Sequence, residues 1–362
     1  MKQKLFTLLA AFFIFSSVMS QPNWAWVKSA GTSGDDQATS VVRDSQGNVY
    51  LTGYFTGTIS FGSGNNLISS GGTDMFIAKY TNNGGLVWAK KAGGNGADKG
   101  IDIKMDNQGY IYILGWHGSS ALFGTSQIDN ADGAKSFIAK YDDTGQLIWV
   151  KKLGGYARTF SIDAANNLFI SASFGATIKV ESTQITANGF DDIWLGKFNS
   201  SGNLSWIREM YGSNGYETPV SLAISADNKI LLTGRFDGSC IFDGGGSTIS
   251  NAGGTGNEDL FLVKYDTSGS FQWVRQFSAS VSNQSATKSL AVDASGNIYI
   301  AGIFTGNINI GSSLLISSGN SDAFVAKLTS DGSTCTWAKK FGGATAEGAM
   351  GIGVDGSNNV YI

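Results

Sequence analysis

Carboxylates recur at one place in this chain. Asp36, Asp98, Glu217 and Glu347 each stand nine to eleven residues after a tryptophan, and Arg158 interrupts the series. They belong to glycine-rich stretches, 31–36, 93–98, 154–158, 212–217 and 342–347. Carboxylate oxygens repeated at similar heights around one axis could hold a hard cation such as calcium. They could equally accept hydrogen bonds from the amides of their own loops, because a repeated position often answers a repeated structural need. The same stretches carry Tyr156 and Tyr216, rings able to stack on a sugar.

The remaining reactive residue types narrow the chemistry. His117 is the single histidine, so a multi-histidine zinc site is excluded and a serine triad would depend on it alone. It falls where other copies place Phe55, Phe236 or Phe304, which marks it as the filler of an aromatic slot. Cys240 and Cys335 sit at non-equivalent places, and the repeat requires no disulfide between them. With 25 basic and 28 acidic residues and a net charge of −3, the chain has no basic stripe for nucleic acid. No residue is assigned a catalytic role.

What positions these residues is a repeat. Trp26, Trp88, Trp149, Trp206, Trp273 and Trp337 each lead a Trp-aliphatic-basic triplet, with spacings from 57 (149 to 206) to 67 (206 to 273) residues. A unit of that length, copied and rich in β-formers, must stack on its neighbours to bury its faces. Four extended pieces read out of each copy. The first, such as 38–44 or 100–106, is small and aliphatic and suits a crowded innermost strand. A short turn leads to the second, such as 48–53 or 297–302. The third, at 76–80, 137–141, 194–198, 261–265 and 324–328, opens on an aromatic residue and carries Lys79, Lys140, Lys197, Lys264 or Lys327. These lysines read as stems along an apolar edge with the amine in water. A turn centred on Gly85, Gly145, Gly202, Gly269 or Gly332 then feeds the tryptophan strand.

Four antiparallel strands per copy and no helical period predict an all-β fold, a β-propeller of four-stranded blades. A solenoid would repeat at shorter intervals, and a sandwich would not repeat. The 50 glycines supply tight turns, and only 2 prolines interrupt extended runs.

On these residues the chain resembles the SBBP family of bacterial secreted β-propeller repeats, whose units end in D-x-F-x-A-K-Y, G, W-A-K, G-G. Asp74, Asp192, Asp259 and Asp322 stand two residues before the third-strand aromatic, and Lys135 departs from the pattern in the second copy. The likeness runs from about Asn23 to the last residue. It implies an exported protein, of a kind common in Bacteroidota, with no catalytic residue to carry over. The stretch 142–149 also looks like the tryptophan-docking motif of quinoprotein dehydrogenases, but the adjacent cysteine pair of those enzymes has no counterpart. It misses the sialidase Asp-box by one residue.

The two ends carry further expectations. Lys2 and Lys4 precede an apolar run from Leu5 to Val18, too short to span a bilayer, so 1–20 reads as a secretory signal and 21–362 as the propeller. The last residues, 360–362, match 49–51, which suggests a fragment. Six blade starts are visible, giving six or seven blades, with the strand around Trp26 closing the last one. The function expected is that of a monomeric, non-enzymatic scaffold, secreted or at the cell surface, that binds a protein or glycan. The alternatives are a carbohydrate-binding or carbohydrate-active propeller and a structural repeat region of a larger surface protein.

Overall fold

The computed structural model describes residues 25–31, 34–62, 64–212, 215–251, 258–278 and 286–362, so the expected signal at 1–20 lies outside the described residues. Among the described residues, five four-stranded antiparallel blades follow one another along the chain. In the first blade the strands are Gln37–Arg43, Val49–Phe55, Asp74–Tyr80 and Leu86–Gly94, in that spatial order. The fifth repeats the order with Ala286–Val292, Ile298–Phe304, Asp322–Leu328 and Cys335–Phe341. Short strands Gly353–Val354 and Val360–Tyr361 form a further antiparallel pair. The first strands lie beside one another in chain order, which makes them the inner ring. No helix among the described residues is long and apolar enough to cross a membrane.

Each copy also contains a hairpin between its second and third strands that the sequence did not announce. In the first copy Thr58–Ser60 pairs with Asn66–Ile68, and in the third Thr177–Val180 pairs with Thr183–Thr186. Three or four residues give too few alternations to register as a strand. Two of these hairpins extend the preceding blade: the second copy's pairs with the first blade's tryptophan strand, and the fourth copy's with the third's.

The core lies between blades. Tyr112, Leu114 and Ile138 of the second blade pack with Phe160, Ile170 and Trp194 of the third, all fully buried. The turn after the first strand is tied by an aspartate in most copies, and by Ser225 in the fourth. Asp44 accepts from the amides of Gln46 and Asn48, and Asp106, Asp163, Asp293 and Asp355 do the same in their turns.

The tryptophans fasten one blade to the next. The indole N–H of Trp26, Trp88 and Trp206 donates to the carbonyl of Asn82, Asp143 and Thr267, at 2.9, 3.1 and 3.1 Å, each in the turn between the third and fourth strands of the following copy. The rings cover a glycine of that turn at positive φ: Gly84, Gly145, Gly202, Gly269 and Gly332. In the first copy that residue is Gly84 rather than the expected Gly85. Trp26 itself lies outside any strand, yet it stacks on Tyr80 with ring centroids 6.1 Å apart. The third-strand lysines share the task. Lys79, Lys140, Lys197 and Lys264 donate to carbonyls of the same turns, so their amines are held by the next blade and not free in water.

Candidate functional site

Asp98, Glu217 and Glu347 sit one to a gap between successive copies, and Asp36 just before the first strand of the first blade. Asp98 is buried; it accepts from the amides of Gly94 at 2.7 Å and Gly118 at 3.3 Å. Glu347 accepts from Gly343 at 3.0 Å, and Asp36 from Thr56 at 3.3 Å. Their backbones are anchored as well: the amides of Asp98, Glu217 and Glu347 donate to the carbonyls of Thr73, Asp191 and Ser321, each just before a third-strand aspartate. Asp98, Glu217 and Glu347 are therefore drawn to the preceding blade's Asp74, Asp192 and Asp322. Among the described residues, no three His, Cys, Asp or Glu side chains are placed to hold one metal ion.

Glu217 differs from the others. It is fully buried, and among the described residues neither of its oxygens meets an N–H or O–H donor. Beside it Asp192 is equally buried with Oδ1 unpartnered. In the first and fifth blades the matching aspartates are neutralised by lysines, Lys91 on Asp74 at 2.8 Å and Lys340 on Asp322 at 3.1 Å. In the fourth, Gln276 donates to Asp259. The third blade puts Glu209 at that position. Burial, and then the charge of Asp192, push the Glu217 carboxyl up to about 9, so it keeps its proton beside Asp192. Burial likewise raises Asp98 to about 6, against the pull of its two amide donors.

His117 fills its aromatic slot. It is 3 % exposed, with Nδ1 2.8 Å from the carbonyl oxygen of Ser119, and burial lowers its proton affinity.

A second set of residues lines the mouth of the channel, and sequence reading missed it. Every complete first strand skips one residue in its pairing with the second strand: Thr39, Ile101, Arg158, Val220 and Lys288. Such a bulge bends the strand and re-aims the extra side chain. Four of them, Ile101, Arg158, Val220 and Lys288, line one central cleft of about 290 Å³ with Trp116 and Arg235. At the rim, the residues facing the start of the first strand are Tyr54, Trp116, Ser173, Arg235 and Ile303. Tryptophan, turn glycine and third-strand lysine recur from copy to copy, while these rim and bulge residues change in chemistry.

Exposed rings flank the same mouth. Tyr156 is 46 % exposed and meets Trp116 edge to face at 5.8 Å. Phe190 and Tyr216, 54 % and 48 % exposed, stack at 4.9 Å and 11°. Trp116, Tyr156 and Arg158 share a cleft of about 460 Å³ with Asp191, the neighbour of Phe190.

Comparison with known proteins accords with this architecture. The SBBP β-propeller repeat matches residues 25–58 and 272–303. The chain is 24 % identical over 426 residues to an uncharacterized WD repeat-containing protein of Acanthamoeba polyphaga mimivirus, covering 93 % of this chain and 31 % of that protein. It is 27 % identical over 173 residues to the regulatory protein FlaEY of Caulobacter vibrioides, covering 47 % and 18 %. The chain thus matches less than a third of the length of either relative. A protein of unknown function from Bacteroides caccae aligns with a TM-score of 0.40 at 10 % identity, over 84 % of this chain and 82 % of that one. By sheet order the chain is of β-propeller type, and two of its stretches, 25–58 and 272–303, match the SBBP β-propeller repeat.

Proposed function

We propose that this protein is an exported, non-enzymatic binding module that presents the channel mouth and its loops to a protein or glycan outside the cell. One observation carries the reading: the copies keep the residues that fasten blades and vary those at the mouth, where Tyr156, Phe190 and Tyr216 remain exposed. Exposed rings on a rigid frame lose little conformational entropy on binding and offer large contact area. The paired carboxylates Asp74 with Asp98 and Asp192 with Glu217 favour a structural role over glycoside cleavage, since they are buried where no glycosidic oxygen reaches. Calcium at the loop acids has weaker support, because Asp98 and Glu347 already accept from their own loops.

The experiment is a screen of the purified chain against protein and glycan arrays, with reducing ends assayed in parallel. Retention of one ligand class without new reducing ends is expected. Release of reducing ends would overturn the non-enzymatic reading, and silence on every array would overturn the binding reading.

A further inference from the structure

The mouth concentrates positive charge in a chain whose net charge is −3. Arg158 and Lys288 project from bulges of the third and fifth blades, and Arg235 enters the same cleft from the fourth. Arg235 is paired, to Glu258 at 2.9 Å. No salt bridge within 4 Å engages Arg158 or Lys288 among the described residues. Partial burial lowers the proton affinity of both, and the charge of Arg235 lowers it further. For Arg158 the repulsion from Arg235 outweighs the attraction of Asp191. Like charges held together in a partly desolvated cleft are a standing unfavourable interaction that a bound anion relieves.

Aromatic rings stand against these cations. The guanidinium of Arg158 lies 5.7 Å from the centre of the Trp116 ring. The indole is fixed by its N–H to the carbonyl of Ala157 at 2.6 Å, and Tyr156 meets its edge. A guanidinium fork beside two rings matches a sugar that carries an anionic group, since the fork takes the oxyanion and the rings take the sugar's apolar face.

We propose that the channel mouth binds an acidic polysaccharide, its carboxylate or sulfate held by Arg158 and Lys288 and a pyranose ring stacked on Trp116 and Tyr156. This rests on the binding-module reading and names its ligand class. Long, exposed chains of repeating anionic sugars also suit a shallow, open cleft better than a buried pocket would.

The test measures binding of the whole chain to polygalacturonate, dextran sulfate and neutral dextran at low and high salt. Binding to either anionic polymer, weakened by salt and absent for neutral dextran, is expected; the two arms separate carboxylate from sulfate. Arg158→Gln and Lys288→Gln should each weaken it roughly tenfold, the share of one charge-assisted hydrogen bond. A melting temperature matched to the parent shows that the fold is intact. If a variant melts early, the salt dependence of the unaltered chain and Tyr156→Leu decide instead. Equal binding of neutral dextran, or no loss in both charge variants, overturns the acidic ligand but leaves the binding module standing. No binding to these polymers together with capture of a protein on the arrays has the same meaning, whereas silence everywhere removes both.

Discussion

Lys197 and Trp206 face each other across the third blade, and both donate to one oxygen, the carbonyl of Thr267 in the fourth, at 3.3 and 3.1 Å. Lys79 and Trp88 converge in the same way on Asp143. Two donors on one acceptor fix the angle between blades as well as their distance. The repeated tryptophan is thus an inter-blade fastener, and the third-strand lysine is its partner.

Removing the N–H but keeping the ring separates the two contributions. Trp206→Phe is expected to cost about 1 kcal/mol, the worth of one hydrogen bond. Trp206→Ala, which also uncovers Gly269, should cost roughly 2–4 kcal/mol. Urea denaturation of both variants checks the order; equal losses would assign the whole effect to the bond.

Gly332 and Gly109 both hold a positive φ, +65° and +86°, but a Cβ at Gly332 would lie 2.7 Å from the Trp273 ring while one at Gly109 meets nothing within 4 Å. Gly109→Ala should therefore cost about 1 kcal/mol for the backbone conformation alone. Gly332→Ala adds an overpacking term of about 1–3 kcal/mol. Matched thermal melts compare them, and similar shifts would argue against a close Trp273 contact.

Glu217 makes stability fall with pH. Its carboxyl is raised in the folded state from an ordinary 4.5 to about 9, so between those values the folded protein holds a proton that the unfolded chain has lost. Its contribution is full below the unfolded value and disappears as pH rises through the folded one. Melting temperature should drop across that window, and Glu217→Gln, neutral at every pH, should flatten the drop. An unchanged slope in the variant would mean that Asp192 and Glu217 do not share a proton.

Calcium is expected to leave the protein unmoved. Asp98 and Glu347 are engaged by loop amides, so neither added calcium nor a chelator should shift the melting temperature. A stabilisation lost in Asp98→Asn would return these acids to a cation site.

How far the sequence reached depends on what each feature leaves in a linear pattern. Trp88 and Lys79 have counterparts in copy after copy because every blade needs its fastener, and the blade order followed from them. The hairpin Thr58–Ser60 with Asn66–Ile68 left no trace, being shorter than the period that would reveal it. The bulges at Arg158 and Lys288 are one-residue slips within a strand, which alternation alone does not display. The visible signal at the mouth was contrast: with the copies superimposed, the bulge positions 39, 101, 158, 220 and 288 and the rim positions 54, 116, 173, 235 and 303 change chemistry from copy to copy. Glu217 looked like its fellows because its difference lies in Glu209, which stands where the first and fifth blades place a neutralising lysine.

The channel mouth as ligand face is tested most directly by probing the same arrays with the parent chain and a Tyr156→Ala, Tyr216→Ala double variant. Both substitutions lie on exposed rings, so the variant should fold normally. The expected result is a ligand retained by the parent and lost by the variant at an unchanged melting temperature. A ligand bound equally by both would place recognition elsewhere on the protein and contradict the account.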